Sequence, residues 1–318
     1  MRRRLVKHGP STLIVSLPAK WIKERRLQPG DEINIQEEDA GLVLSTDKQQ
    51  HDEEVTFDIT NLDRTSVVLL LHSIYRSGIT RCTLTFTTAT TLHYRTKKKV
   101  RYADIIHSLM GRFIGYEITR EKAHAIEITQ VSHIDKEQIP NMIQRTFHLL
   151  YDITQTFSDA FLNDRPEEFA SIETQHDTIT KLISFLIRSI TVLGLENKRY
   201  SNAMIHVLAT IDKLIDILKY IARRETTNKS NYSESCKELV RLFSASVMEY
   251  VKLFQKYDEK KVNTISKKRD DFKTQLKTVS TDLRAPELAI GTELTQALEL
   301  LFDLLEWRFV IELSKPQQ

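Results

Sequence analysis

The spacing of apolar and polar residues changes character twice along this chain. In the first 45 residues the apolar positions come in short runs separated by turn residues, from 55 to 130 strand-like runs are interleaved with two helical spacings, and from 139 onward apolar residues recur every three or four positions with no strand alternation left. The first stretch predicts strands over 4–6 and 13–17 around the turn Gly9-Pro10-Ser11, and a short helix over 18–26 opened by Pro18. The turn Gln28-Pro29-Gly30-Asp31 follows, then strands over 32–36 and 42–45. The polar run 45–53 reads as a linker.

The middle stretch predicts strands over 55–59, 82–86, 116–120 and 125–130 and helices over 65–76 and 102–111. That order, βαβαββ, suits a small α+β domain with one mixed sheet and its helices on one side. The last stretch predicts six amphipathic helices, over 139–162, 166–193 and 201–224, then, beyond a polar junction at 226–233, over 234–257, 260–283 and 286–313. Similar lengths and breaks on both sides of the junction indicate a duplicated three-helix unit. The reading is of a multidomain, mainly α chain: 1–46 a small β module, 54–134 an α+β domain, and 136–228 and 232–315 two three-helix bundles.

A length of 318 residues exceeds one ordinary core. A net charge of +3 and a pI near 8.6 are too mild to demand a nucleic-acid partner. The distribution is more telling. Through Gly30 the charged side chains are Arg2, Arg3, Arg4, Lys7, Lys20, Lys23, Arg25 and Arg26 against the single acid Glu24, whereas acids dominate from Asp31 to Asp58. Such polarity provides an electrostatic footprint for phosphates; the plain alternative is a solvated basic surface. Cys82 and Cys236 lie far apart, without metal-ligand spacing, and are expected to be reduced thiols in a cytoplasmic protein. The charged amino terminus lacks the apolar run of a signal peptide, and Val67-Val68-Leu69-Leu70-Leu71 is too short to span a membrane.

The motifs Ser16-Leu17-Pro18-x-x-Trp21 and Leu27-x-x-Gly30-Asp31 resemble the swapped-hairpin domains typified by AbrB and SpoVT, over residues 2–46. The resemblance implies that two chains interlace their strands into one small barrel, making a homodimer, and that Arg2, Arg3, Arg4, Lys7 and Lys20 face DNA. Members of that family also serve as partner-binding or antitoxin modules. A module of this length buries little apolar surface alone, so physics also asks for the dimer. A second basic stretch, 93–101 (HYRTKKKVR), interleaves cations with an aromatic residue. It is expected to be an exposed mobile connection, the sharper reading being a second phosphate contact. Gly111 and Gly115 are assigned to a helix-to-strand turn, and no Gly-rich phosphate cradle is present.

In the helical part, acids recur four apart: Glu173 and Asp177, Asp212 and Asp216, Glu299 and Asp303. That spacing puts each pair on one helix face, where hard oxygens suit a divalent or ferric ion such as magnesium, manganese, iron or zinc. His176 is expected to point about 100° away from Asp177. The alternative is acids that face water and pair with neighbours such as Lys181 and Lys213. The segments IETQHDTITKLI, ATIDKLIDILKYIA and ALELLFDLLEW resemble the PhoU family of phosphate-signalling proteins, over about 136–315. That resemblance implies metal at these carboxylates and action with a phosphate transporter ATPase or sensor protein. The fifth helix departs from the pattern, with Ser266 and Lys267 where a carboxylate would stand before Asp270 and Asp271. The order of swapped hairpin, α+β middle and duplicated bundle resembles archaeal PhoU-related phosphate uptake regulators. The expectation is a DNA-binding, non-enzymatic regulator of phosphate uptake. The alternative is an adaptor that binds a transporter ATPase or sensor kinase without touching DNA. A hydrolase is disfavoured because no Ser/His/Asp or Cys/His constellation is visible.

Overall fold

The computed structural model describes residues 2–38, 41–46, 53–132, 135–227 and 231–315, and Cα packing divides it into two compact units, 1–52 and 53–318. Of the segments read as linker and junction, 47–52 and 228–230 lie outside the described residues.

In the first unit, β1 (Val6–His8) pairs antiparallel with β2 (Thr12–Ile14), Val6 opposite Ile14, through a turn in which Gly9 takes φ +76°. The strand begins two residues later than the run 4–6 predicted, and residues 2–5 precede it without regular structure. Helix α1 (Ala19–Glu24) starts after Pro18 and stops where Arg26 turns left-handed at φ 51°, letting the Leu27 N–H reach the Ile22 carbonyl at 3.0 Å. The following turn is closed twice: the Gln28 N–H donates to Asp31 Oδ2 at 2.7 Å and the Asp31 N–H to the Gln28 carbonyl at 3.0 Å, with Gly30 at φ +97°. Strands β3 (Asn34–Glu38) and β4 (Gly41–Ser45) form a second antiparallel hairpin. The expected closed barrel is absent among the described residues of the single chain. Among the described residues the two hairpins are separate two-stranded sheets, β1 with β2 and β3 with β4.

The second unit opens with a four-stranded sheet in the order β5-β6-β10-β9. Strands β5 (Glu54–Asp58) and β6 (Arg81–Thr85) run parallel, joined by α2 (Arg64–Arg76), as a parallel pair requires a crossover. Asp63 caps α2, accepting from the Thr65 and Ser66 N–H groups at 3.0 Å each. Helix α3 (Tyr102–Met110) and the antiparallel strands β9 (Tyr116–Lys122) and β10 (Ala125–Gln130) complete the layer. Its core gathers Val67, Leu71, Tyr75, Leu84, Tyr102 and Ile126. The segment expected to be a mobile connection is an ordered hairpin, β7 (Thr90–His93) with β8 (Lys98–Arg101). The element order is therefore βαβββαββ rather than βαβαββ.

Six helices follow: α4 (Ile139–Leu162), α5 (Phe169–Leu193) led in by a 3₁₀ turn at Pro166–Glu168, α6 (Lys198–Glu225), α7 (Glu234–Gln255), α8 (Glu259–Val279) and α9 (Ala285–Leu313). Starts are set by side-chain caps: Asn197 accepts from the Tyr200 N–H at 2.9 Å, Ser233 from Cys236 at 3.2 Å, and Asp258 from Lys260 at 2.9 Å. One continuous apolar core runs through all six, with Phe157, Ile183, Leu208, Phe243 and Leu298 in its interior. Residues 182–190 of α5 are all buried, because α2 covers the face that the bundle leaves free. That placement explains why polar Ser184, Arg188 and Ser189 are interior.

Candidate functional site

The basic module exposes what its charge pattern promises. Arg2, Arg3, Arg4 and Lys7 are exposed. Lys20, on α1, has a side chain 86% exposed and sits 3.7 Å from Glu24, one helical turn on. The apolar side chains of the same strands are equally uncovered. Val6 is 56% exposed, Leu13 60%, Ile35 62% and Leu42 66%, and no residue of this unit whose burial is described counts as buried. Hairpins that leave Val6, Leu13, Ile14, Ile35 and Leu42 facing water have the sequence of a core but not its closure.

Glu173, Asp177, Asp212 and Asp216 lie along the seam where α5 and α6 meet the end of α2 and the turn after α3. Each has a cation of its own. Asp212 on α6 accepts from Arg76 Nη2 at 2.7 Å, and the same nitrogen donates to Ser184 Oγ at 3.0 Å. Asp177 on α5 accepts from Arg112 Nη2 at 2.7 Å. Glu173 takes both arms of Arg223, at 3.0 and 2.5 Å. Asp216 bonds Lys219 one turn on. Four carboxylates thus meet four cations, none of them Lys181 or Lys213. Two of those cations, Arg76 and Arg112, come from the α+β layer, far from the acids in sequence.

His176 corrects the sequence-based expectation. It is 3% exposed, and its ring bridges the two helices instead of pointing away: Nδ1 is 3.2 Å from Asp177 Oδ1, and Nε2 is 2.9 Å from Asp216 Oδ1 and 3.1 Å from Lys219 Nζ. The 100° step between neighbouring helix positions fixes where the Cβ atoms point, not where the ring ends, and the imidazole nitrogens reach into the seam. Burial pushes the Asp216 carboxyl up, but hydrogen bonds from His176 and Lys219 outweigh it and hold the group below its ordinary range. On the neighbouring α2, burial and then the charge of Arg76 push His72 down to about 4, which keeps it neutral against the edge of Phe113.

Further along the seam, Arg188 is 2% exposed, and no carboxylate pairs with it among the described residues. Its Nη1 donates to the carbonyls of Tyr75 at 2.8 Å and Ile79 at 3.2 Å, its Nη2 to Gln130 Oε1 at 2.5 Å, and the guanidinium lies 4.7 Å from the centre of the Tyr116 ring. Burial lowers its pKa.

This donor set does not fit a metal. A cation would have to expel a guanidinium or ammonium from every carboxylate it used, and among the described residues no three His, Cys, Asp or Glu side chains converge as ligands. In the second repeat Glu299 pairs with Lys273 at 2.5 Å, while Asp303 is exposed. The repulsion that spacing alone would assign to a metal is relieved by cations, of which only Lys219 stands at a helical spacing from its acid.

Residues 6–50 match the family described as antidote-toxin recognition MazE, bacterial antitoxin. Among solved structures, the phosphate transport system regulatory protein PhoU from Streptococcus pneumoniae is similar at 12% identity and a TM-score of 0.49, covering 57% of this chain and 97% of that one. A PhoU-like protein from Shewanella oneidensis MR-1 is similar at 15% identity and a TM-score of 0.32, covering 57% and 95%. Comparison with curated proteins finds no match. No helix among the described residues is long and apolar enough to cross a membrane.

Proposed function

We propose that this chain is a DNA-binding regulator, linked to phosphate uptake, whose first unit dimerises by exchanging hairpins and whose second unit receives the signal. The observation that carries the reading is the first unit itself. It matches a swapped-hairpin antitoxin family, it displays Arg2, Arg3, Arg4, Lys7 and Lys20 to solvent, and it leaves Val6, Leu13, Ile35 and Leu42 uncovered. A second copy supplies the missing cover, and the paired basic strands then double the cations available to one duplex. The link to phosphate rests on the resemblance of the segments around Glu173, Asp212 and Glu299 to phosphate-signalling helices. Signal reception is assigned to surface contacts of the second unit, with a transporter ATPase or sensor protein as the partner class, and no metal is required for it.

The test is DNA binding by the full chain as a function of salt, alongside sedimentation. Replacing Arg2, Arg3, Arg4 and Lys7 by Gln should lower the slope of log affinity against log salt by roughly 0.9 for each lost phosphate contact. Leu13→Asp with Ile14→Asp should give a monomer that binds DNA weakly. A wild-type chain that sediments as a monomer, or DNA binding indifferent to the four basic residues, overturns the reading. Mapping the protein on its own chromosome then tests the phosphate link, which fails if the occupied sites lie away from phosphate transport genes.

A further inference from the structure

The β7–β8 hairpin is a cationic ribbon fixed to the face of the α+β layer. Its register pairs Leu92 with Lys99 and Thr90 with Arg101 on one side of the ribbon, and Thr91 with Val100 and His93 with Lys98 on the other. The second side is turned inward. Val100 packs against the apolar core of the layer, and Thr91 Oγ1 donates to the Leu62 carbonyl at 2.7 Å. The first side is therefore presented to solvent, and Thr90, Leu92, Lys99 and Arg101 are all exposed. At the tip, the Thr96 N–H donates to the His93 carbonyl at 3.2 Å and the Lys97 N–H to the Tyr94 carbonyl at 3.3 Å, closing a compact turn that leaves Tyr94 68% exposed.

Three features set this ribbon apart from an ordinary solvated loop. No acid occurs between Phe86 and Ala103, and among the described residues no carboxylate pairs with Arg95, Lys97, Lys98 or Lys99. Among the described residues the ribbon's one ion pair joins Arg101 to Asp104 at 3.8 Å. Lys97 stands at φ 55°, a left-handed position where Gly or Asn is the comfortable choice, so a cation occupies the tip at a conformational cost. Lastly, burial first and then the charges of Arg64 and Arg95 push His93 below its ordinary pKa, so cations crowd this end of the layer. An antiparallel ribbon that carries Lys99, unpaired among the described residues, on its free face, holds Lys98 exposed although its register neighbours turn inward, and places Arg95, Lys97 and an aromatic ring at its tip has the charge to meet a nucleic-acid backbone.

We propose that the β7–β8 hairpin is a second DNA contact, gripping duplex phosphates through Arg95, Lys97, Lys98 and Lys99 with Tyr94 against the sugar edge. The proposal deepens the reading of the chain as a DNA-binding regulator and rests on it. One chain carrying two cationic surfaces makes the second engagement intramolecular, so the hairpin contributes affinity and salt dependence even when its own grip is weak.

The experiment compares three full-length proteins on a short fluorescein-labelled duplex from ~50 to ~200 mM salt: wild type, Arg2, Arg3, Arg4 and Lys7 all changed to Gln, and Arg95, Lys97, Lys98 and Lys99 all changed to Gln. Matching melting curves confirm that the hairpin variant is folded, and if it is not, Lys98→Gln with Lys99→Gln replaces it. The hairpin variant should lose up to about 3.6 units of salt slope, roughly 0.9 for each of its four cations, and ~10-fold or more in affinity, while sedimenting like wild type. An unchanged slope, with the amino-terminal variant still impaired, overturns the hairpin contact and leaves the DNA-binding reading standing. The reverse result keeps the hairpin contact and removes the first unit from DNA. Loss of binding to phosphatidylserine vesicles without any change on DNA identifies a membrane contact and overturns the proposal.

Discussion

Arg76 and Asp212 meet at 2.7 Å across the seam between the α+β layer and the helices, 136 positions apart in sequence, with side chains only 25% and 18% exposed. A charge pair this sheltered holds its geometry through the low dielectric around it, and breaking one side strands the other. Asp212→Asn should cost about 1–3 kcal/mol in urea denaturation, and Asp212→Leu combined with Arg76→Leu should cost less than the sum of the two single changes. Additive costs would mean that the pair does not couple the two layers.

The acids of the seam are neutralised from within, and this sets the response to metal. Titration with magnesium, manganese, iron or zinc should leave the melting temperature of the full chain unmoved, and a chelator should do the same. A metal-dependent rise in melting temperature that disappears in Asp177→Asn with Asp216→Asn would restore a metal site and require Arg112 and Lys219 to swing away.

Glu287 provides a pH signature. Its buried carboxylate accepts from the Ser233 N–H at 2.7 Å and from the Arg284 N–H at 3.0 Å, tying the starts of α7 and α9 together. Burial pushes its pKa up, but these bonds and the Arg284 side chain overcome that and bring it from 4.5 to about 2. Because the folded value lies below the unfolded one, the stabilisation is complete above pH 4.5 and disappears as pH falls toward 2. It amounts to about 3 kcal/mol. Glu287→Gln should therefore be less stable than wild type at neutral pH, with the gap closing as the solution is acidified through that window. A gap independent of pH would show that the residue acts by packing alone.

Lys97→Gly should raise stability by ~0.5–1 kcal/mol, since glycine occupies a left-handed position without strain and part of the gain is returned to the more flexible unfolded chain. Denaturant midpoints measure the difference. A loss of stability instead would show that the lysine stem packs usefully at the turn.

The parts of this architecture that periodicity encodes were legible in the sequence. Helix α4 occupies the predicted 139–162 because its apolar residues repeat at three and four and Pro140 sits in its first turn, where a missing N–H costs nothing. The β7–β8 hairpin was not legible. Thr90-Thr91-Leu92-His93 offers one aliphatic residue, and Lys98-Lys99-Val100-Arg101 offers one more among three charges, so neither run shows the alternation that marks a half-buried strand. Its turn also uses Lys97 where glycine would have signalled a hairpin. Spacing identifies the acid pairs, but it cannot identify the cations that answer them. Asp177 is answered by Arg112, 65 positions away, and Asp212 by Arg76, 136 away, and no local rule connects them. His176 was displaced in the reading by treating residue direction as helix angle alone.

Arg188 has a practical consequence for anyone wishing to take this chain apart. A guanidinium sealed between two layers, with carbonyls and ring faces instead of a counter-ion around it, tolerates neither layer leaving. A truncation near 134 would give a helical fragment with a bare charge in an oily hollow and a sheet fragment with unanswered carbonyls, and both should precipitate. The workable cut lies upstream, between residues 52 and 53.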